Sequence, residues 1–331
     1  MSIKIGINGF GRIGRYLIRL LADQSDVEIA VINARADNPA LAHLLKYDSV
    51  HGQFPVPITP TKNGLSLNGR EIPVTRQPTD KWTWGDYTLD IAVETTGSIK
   101  DRPGLAKHLA CGAKKVVVSS PITDADILVV MGVNDNKYDP AKHDVISAAS
   151  CTTNCLTPPA MVIHENFGIK HGLMTTIHSY TMSQRILDGS NKDWRRARAA
   201  AVNMIPTSTG AAKAAALVYP ALAGKLDGMA IRVPTPNVSL VDLTCELETD
   251  VDVARVNAVL KAAANGPLKG NMGFSEEPLV SVDYTGSSYG GVVDSLLTTV
   301  LDKRLLKLII WYDNESGFTN QLARLIRLVG K

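Results

Sequence analysis

Ile3-Lys4-Ile5-Gly6-Ile7-Asn8-Gly9-Phe10-Gly11-Arg12-Ile13-Gly14, near the start of a 331-residue chain, is a short apolar strand that runs into a G-x-G-x-x-G loop. An amphipathic helix follows to about Ala22, then a second strand from Val27 to Asn33. Strand, glycine loop, helix and strand in this order form the dinucleotide-binding unit. Gly9 permits the tight turn, Gly11 lets the backbone approach a pyrophosphate, and Gly14 lets the helix pack close to the strand. The helix N-terminus supplies N–H donors and the positive end of a dipole for the phosphates.

About 20 residues further on, an acid at the end of the second strand would hold the ribose 2′-hydroxyl of NAD. The chain reads Ile32-Asn33-Ala34-Arg35-Ala36-Asp37 there, and Ala34 stands where the acid would fall. Losing a carboxylate removes repulsion against a 2′-phosphate. The adjacent Arg35 guanidinium can pair with that phosphate in a bidentate way. The pattern points to NADP, accepted or preferred over NAD. It leaves open a shifted turn in which Asn33 or Asp37 does the acid's work and Arg35 is a solvated charge. Strand patterns recur at Leu89–Glu94, Lys115–Val118, Ile127–Val133 and Asp144–Ser147. Ligands of open α/β sheets bind beyond the carboxyl ends of strands, so Thr96, Gly97 and Ser119 are candidates to line the cofactor site.

A chain of this length is expected to form about two domains. Hydrophobic residues make up 45% and charged residues 20%, enough for a sizeable core. A net charge of +3 argues against a dedicated nucleic-acid or membrane-surface binder, but leaves room for a local basic patch. The N-terminus enters a strand pattern at once, without a signal-peptide pattern, and no apolar run is long enough to span a membrane. Cys111, Cys151, Cys155 and Cys245 are too few for a disulfide framework and fit the reduced thiols of a cytoplasmic protein. Cys151 and Cys155 lie one helical turn apart. No second Cys/His pair has ligand spacing, so no metal is expected.

Beyond about residue 168 the texture changes. Leu173–His178, Ile231–Pro234 and Val238–Leu247 read as strands. Thr209–Val218, Val253–Ala264 and Thr319–Val329 read as helices. This mixture predicts an α+β domain with a mostly antiparallel sheet. Cys151 stands in Ala149-Ser150-Cys151-Thr152-Thr153-Asn154-Cys155. Ser150 can N-cap a following helix, and a thiol there feels the positive end of the dipole, which lowers its pKa. That reads as a nucleophile, although a small buried helix residue fits the same position. His178, at a strand end, is either structural or the base that takes the thiol proton. The cation-rich run Gln184–Arg198, with Thr207-Ser208-Thr209-Gly210 and Arg232, suits a small anionic substrate unless it is only a solvated basic face.

Taken together, the chain resembles phosphorylating glyceraldehyde-3-phosphate dehydrogenase from end to end. The matching stretches include Ile7–Arg15, Leu45–Gly52, Ser150–Cys155, Ile205–Lys213, Arg232–Val238 and Trp311–Glu315. The resemblance implies an α/β protein. A Rossmann-type dinucleotide-binding domain spans 1–150, an α+β catalytic domain spans 151–314, and a C-terminal helix over 315–331 packs back on the first. It implies Cys151 as nucleophile and His178 as base. Thr181 and Arg232 would bind the phosphate of the triose phosphate substrate. Ser150, Thr152, Thr209, Gly210 and Arg198 would serve that phosphate or the attacking inorganic phosphate. Arg12 and Ile13 would contact the pyrophosphate, Arg76 and Ser119 would lie near the adenine and nicotinamide ends, and Asn314 would hold the carboxamide. The family implies a homotetramer in which the loop around 180–200 reaches a neighbour's cofactor site.

Departures from the family matter most for the cofactor. NAD-specific members carry Asp where this chain has Ala34, and often Leu-Pro where it has Gly189-Ser190. Both differences point to NADP, with Ser190 of a neighbouring subunit helping Arg35. Ser316 and Phe318 also depart from the usual residues near the nicotinamide. The rivals are an erythrose-4-phosphate dehydrogenase and, from another class, a non-catalytic nucleotide- or RNA-binding protein.

Overall fold

Val116, Val117 and Val118 are all buried, because Lys115–Val118 lies inside a sheet rather than at its edge. A parallel sheet covered on both faces selects such continuous apolar runs. The computed structural model describes residues 2–331. Two units make up the chain. One comprises the chain up to Val129 with Asp135–Ala149 and Leu322–Lys331, and the other comprises Val130–Asn134 and Ser150–Gln321.

In the first unit, seven strands run in the order Arg70–Thr75, Val27–Asn33, Ile3–Asn8, Ile91–Glu94, Lys115–Val118, Val145–Ser147 and Ile127–Leu128, every pairing parallel. Sequence order reverses on either side of Ile3–Asn8, which is the topological switch point where such sheets take ligands. Asn8 pairs with Asn33 on one side and Glu94 on the other, so three carboxyl ends stand level. Gly9 has φ +110°, and a Cβ there would meet Thr95 Oγ1 at 2.7 Å and Thr96 N at 2.9 Å. A Cβ at Gly14 would lie 2.4 Å from the Gly9 carbonyl oxygen. These two glycines are therefore required by close backbone approach.

Two expectations shift. The strand expected over Ile127–Val133 is only Ile127–Leu128. Asn134 Oδ1 accepts from the Val130 N–H at 2.9 Å, and Gly132 takes φ +82°, so the chain turns there. An antiparallel hairpin, Gly64–Leu67 with Arg70–Thr75, extends the sheet and was not anticipated. Its signal was present as Asn68-Gly69, both with positive φ, the composition of a tight hairpin turn.

The second unit is built on an eight-stranded sheet whose pairings are antiparallel but for two. Ser239–Leu247 buries every second residue, and Leu305–Tyr312 does the same. Their register pairs Val241 with Ile310, Leu243 with Leu308 and Cys245 with Leu306, which brings the two apolar faces to one side. Helix Cys151–Phe167 lays Leu156, Ala160, Ile163 and Phe167 into that core, as helix Val253–Asn265 does with Val256 and Leu260. The last helix is Ser316–Val329. No helix among the described residues is long and apolar enough to cross a membrane.

Candidate active site

In the first unit, a cavity of about 860 Å³ opens at the carboxyl ends of the strands, with Gly9, Gly11, Ala34, Arg35, Arg76 and Thr96 in its lining. No side chain caps helix Arg12–Leu21, and a Cβ placed at Gly11 would meet nothing within 4 Å. The loop thus offers open space beside an uncapped helix N-terminus, a setting that fits a pyrophosphate. Ala34 is buried and Arg35 exposed. The two residues left open as substitutes for the missing acid both make structural hydrogen bonds. Asn33 Nδ2 donates to Asn8 Oδ1 at 2.8 Å and to the Gln77 carbonyl at 3.0 Å, while its Oδ1 accepts from Thr75 and from the Gln77 N–H. Asp37 caps helix Asn38–Lys46 by accepting from the Ala40 N–H at 2.9 Å. Arg76 donates to the Ala36 carbonyl and, at 2.7 Å, to Asn38 Oδ1, which pins the turn that carries Ala34 and Arg35. Arg12 pairs with Asp48, and Ile13 and Gly14 continue the same helix. Gly97 takes φ +66° in the turn after Glu94, and Ser119 donates its N–H to the Glu94 carbonyl. Neither is in the lining of that cavity.

A buried charge network beneath the glycine loop was not foreseen. Glu94 and His108 have no exposed surface. Trp84 Nε1 donates to His108 Nδ1 at 2.9 Å. An indole can only donate, so His108 Nδ1 is bare and its Nε2 proton points to Glu94 Oε2, 3.1 Å away. Asn8 donates to the same carboxylate oxygen at 2.6 Å, and the Thr96 N–H donates to the other at 2.7 Å. Burial pushes the Glu94 carboxyl up, but the hydrogen bonds from His108, Thr96 and Asn8 outweigh it and hold the carboxyl below its ordinary value.

In the second unit, Cys151 is the first residue of helix Cys151–Phe167. Ser150 caps that helix, as expected: its Oγ accepts from the Thr153 N–H at 3.1 Å. Asn154 Nδ2 returns to the Ser150 carbonyl at 2.9 Å. Sheet register supplies the partners. His178, on strand Ile169–Ser179, pairs with Arg232 on the parallel strand Leu226–Val233, so the two side chains leave the sheet on one face. Cys151 Sγ lies 3.5 Å from His178 Nε2. His178 Nδ1 lies 2.8 Å from the Ser179 carbonyl oxygen and 2.7 Å from Arg232 Nη1, which also reaches that carbonyl at 2.9 Å. Arg232 Nε is buried and has no acceptor.

Tyr312 braces the same group. Its hydroxyl meets Thr152 Oγ1 at 2.9 Å and Thr176 Oγ1 at 2.8 Å, and its ring stands edge-on to His178 with centroids 5.8 Å apart. Asn314 Oδ1 accepts from the hydroxyls of Ser179 at 2.9 Å and Ser239 at 3.0 Å, which fixes the orientation of its amide. Tyr312, Ser179, Thr176 and Ser239 were missed in the sequence. Their neutral side chains, scattered over three strands, carry no spacing signal.

Electrostatics correct one expectation. The helix terminus was expected to lower the Cys151 thiol. Burial instead pushes it above its ordinary value, despite the Arg232 charge and the Thr152 hydrogen bond. Burial and then Arg232 drive His178 down to about 3. Both shifts favour the uncharged thiol and the uncharged imidazole.

The other residues expected around the substrate sit on nearby segments of the chain with local partners. Thr181 Oγ1 meets Ser183 Oγ at 3.0 Å. Arg198 pairs with Asp188 at 2.8 Å, and the Ser190 carbonyl accepts from Arg185. Thr209 Oγ1 accepts from the Ala211 N–H at 3.3 Å, and Gly210 stands at the N-cap of helix Ala211–Val218 with open space beside it.

Residues 3–102 match the sequence model described as glyceraldehyde 3-phosphate dehydrogenase, NAD binding domain. Residues 150–314 match that described as glyceraldehyde 3-phosphate dehydrogenase, C-terminal domain. The glyceraldehyde-3-phosphate dehydrogenase of Geobacillus stearothermophilus is 56% identical over 327 residues, 98% of this chain and 97% of its own length. Glyceraldehyde-3-phosphate dehydrogenase 1 of Bacillus subtilis (strain 168) is 54% identical over 333 residues, 100% of this chain and 99% of its own.

Proposed function

The chain belongs to the glyceraldehyde-3-phosphate dehydrogenase family of oxidoreductases, and from that premise we propose that it oxidises glyceraldehyde 3-phosphate to an acyl phosphate through a thioester on Cys151, with NADP accepted or preferred. The observation that carries this reading is the 3.5 Å approach of Cys151 Sγ to His178 Nε2 beside a guanidinium whose Nε lacks an acceptor.

The aldehyde's phosphate takes Arg232, whose Nε is aimed at no protein group, with Thr181 beside it. Sγ attacks the aldehyde carbon while His178 Nε2 takes the thiol proton and passes it to the developing alkoxide, giving a hemithioacetal. His178 then removes the hydroxyl proton. The bound nicotinamide supplies the hydride acceptor for this oxidation. The thioester that remains on Cys151 is opened by inorganic phosphate, held by Ser150, Thr152, Arg198, Thr209 and Gly210. Covalent catalysis divides one difficult step into two easier ones. The nucleotide would be held by Gly9, Gly11, Arg12, Ile13 and Gly14, with Thr96, Gly97 and Ser119 around it and Asn314 for its carboxamide.

NADP use is supported by three features of the first unit. Ala34 places no carboxylate at the ribose. Asn33 and Asp37 are held in structural hydrogen bonds. Arg35 stands exposed at the cavity, on a turn pinned by Arg76. A homotetramer, with Ser190 reaching a neighbour's cofactor, is supported by exposed apolar side chains on the same loop, Met182 at 91% and Trp194 at 85%.

The test is steady-state turnover with glyceraldehyde 3-phosphate and with erythrose 4-phosphate, each with NAD and NADP. Preference for the triose with phosphate-dependent turnover on NADP upholds the proposal. Preference for the tetrose, or indifference to NADP, overturns the corresponding part.

A further inference from the structure

We infer that Ser179 and Ser239 are positioning residues that lock the Asn314 side chain with its N–H groups outward, so that the nicotinamide end of the site reads a carbonyl oxygen and penalises a group without that acceptor. The inference rests on the proposed assignment of Asn314 to the carboxamide and goes one step beyond it.

Half a turn about the last bond of an asparagine exchanges oxygen and nitrogen with almost no change of shape. Hydrogen bonds therefore decide which of the two faces a ligand. Little else is free at Asn314. One carboxylate oxygen of Asp313 accepts from the Glu315 N–H at 2.9 Å and the Ser316 N–H at 2.8 Å. The other accepts from Asn237 Nδ2 and the Gly286 N–H, each at 2.8 Å. That clamp fixes the backbone on both sides of Asn314.

Ser179 is fully buried, Ser239 is 2% exposed and Asn314 is 7% exposed. The hydroxyls of Ser179 and Ser239 donate to Asn314 Oδ1 at 2.9 and 3.0 Å. Ser239 Oγ also accepts the Ser179 N–H at 3.1 Å, which ties the two serines together. Among the described residues, neither hydroxyl has an acceptor other than Asn314 Oδ1. Two donors thus converge on a carbonyl oxygen that has two lone pairs. A flipped amide would point its own N–H groups at the serines and strand both buried hydroxyl protons, so the flip is disfavoured. Asn314 Nδ2, by contrast, has no acceptor among the described residues and is not sealed from solvent. It is a donor kept for a ligand. Ser179 has a second part in the site, because its carbonyl accepts from Arg232 Nη1 at 2.9 Å beside His178. The amide that orients the nicotinamide and the base that acts on the substrate therefore share one support.

The experiment is equilibrium binding of two probes, followed by quenching of the intrinsic fluorescence. The 3-acetylpyridine analogue of the cofactor keeps the carbonyl oxygen and loses the N–H groups. The thionicotinamide analogue keeps the N–H groups and replaces the oxygen by sulfur, a weaker acceptor. Each is used in its NAD and NADP forms, so the result does not depend on the NADP preference. The parent should bind the thionicotinamide analogue about 5- to 10-fold more weakly than the other. The double variant Ser179→Ala with Ser239→Ala frees the amide to rotate and should narrow that difference to about 2-fold or less. A general loss of stability would weaken both probes alike and leave their ratio unchanged. Parent-like discrimination in the double variant overturns the lock. Weaker binding of the 3-acetylpyridine analogue by the parent also overturns it, since the amide then presents its oxygen. If the parent binds both probes equally, Asn314→Ala separates the causes. Weaker binding of both by that variant overturns the lock alone, and unchanged binding overturns the assignment of Asn314 to the carboxamide and the lock with it.

Discussion

His108 and His178 are both buried, each receives a donor at Nδ1, and each presents Nε2 to an acidic group. Beneath the glycine loop, His108 faces the Glu94 carboxylate, and the side-chain polar atoms of His108, Glu94 and Trp84 all have partners. Beside the N-terminus of helix Cys151–Phe167, His178 faces a thiol and receives a guanidinium that has an unused nitrogen. Closed hydrogen bonding makes the first network a fixed support for Asn8 and Thr96. Open hydrogen bonding in the second leaves a guanidinium nitrogen that, under the proposed function, takes an anion. Burial of the histidine therefore does not separate the two networks, but the completeness of their hydrogen bonds does.

The sharpest test of that contrast is the nucleophile. Cys151→Ser should lower turnover by about 10⁴-fold or more while the affinity for NADP is unchanged, measured by kinetics and by fluorescence titration. Near-parental turnover would remove the catalytic half of the comparison. Next come the histidines themselves. His178→Asn should cost about 10²- to 10⁴-fold in kcat with little loss of stability. His108→Asn should do the reverse, costing about 1–3 kcal/mol in urea unfolding by stranding Glu94 and Trp84, with kcat nearly parental. If both variants lose mainly activity, or both mainly stability, the distinction fails.

A smaller effect is expected at the cofactor end. Ala34→Asp combined with Arg35→Leu should move the NADP/NAD ratio of kcat/KM toward NAD by about 10- to 100-fold, because one ion pair is lost and one repulsion gained. An unmoved ratio contradicts the role given to Arg35. The smallest effect is on stability against pH. His178 has a folded pKa of about 3, against about 6.5 in an unfolded chain. A depressed histidine contributes stability that is fully present above pH 6.5 and is lost as pH falls toward 3. The urea midpoint of the parent should thus drop between pH 7 and 5, and His178→Asn should show a shallower drop.

Local chemistry explains what was legible beforehand. Ile3–Asn8, Val27–Asn33 and Lys115–Val118 announce themselves because buried parallel strands are rich in Ile and Val, with Lys4, Glu28 and Lys115 confined to their first two residues. Ser150 and Cys151 were legible because capping is a property of adjacent residues. The direction of the Cys151 shift was not, since burial is set by side chains from the whole second unit. Nor was the pairing of His178 with Arg232, 54 residues apart, which exists only through sheet register. Glu94, ending an apolar strand, and His108, on helix Arg102–Ala110, were passed over because neither position has a local mark of burial.

The central claim is that Cys151 carries the oxidised substrate as a thioester. Mixing the protein with glyceraldehyde 3-phosphate and NADP in the absence of inorganic phosphate tests it directly. The account predicts a burst of about one equivalent of NADPH per chain. The added acyl mass should map to Cys151, and phosphate should release it. Reduced cofactor formed without a phosphate-labile adduct on Cys151 would contradict it.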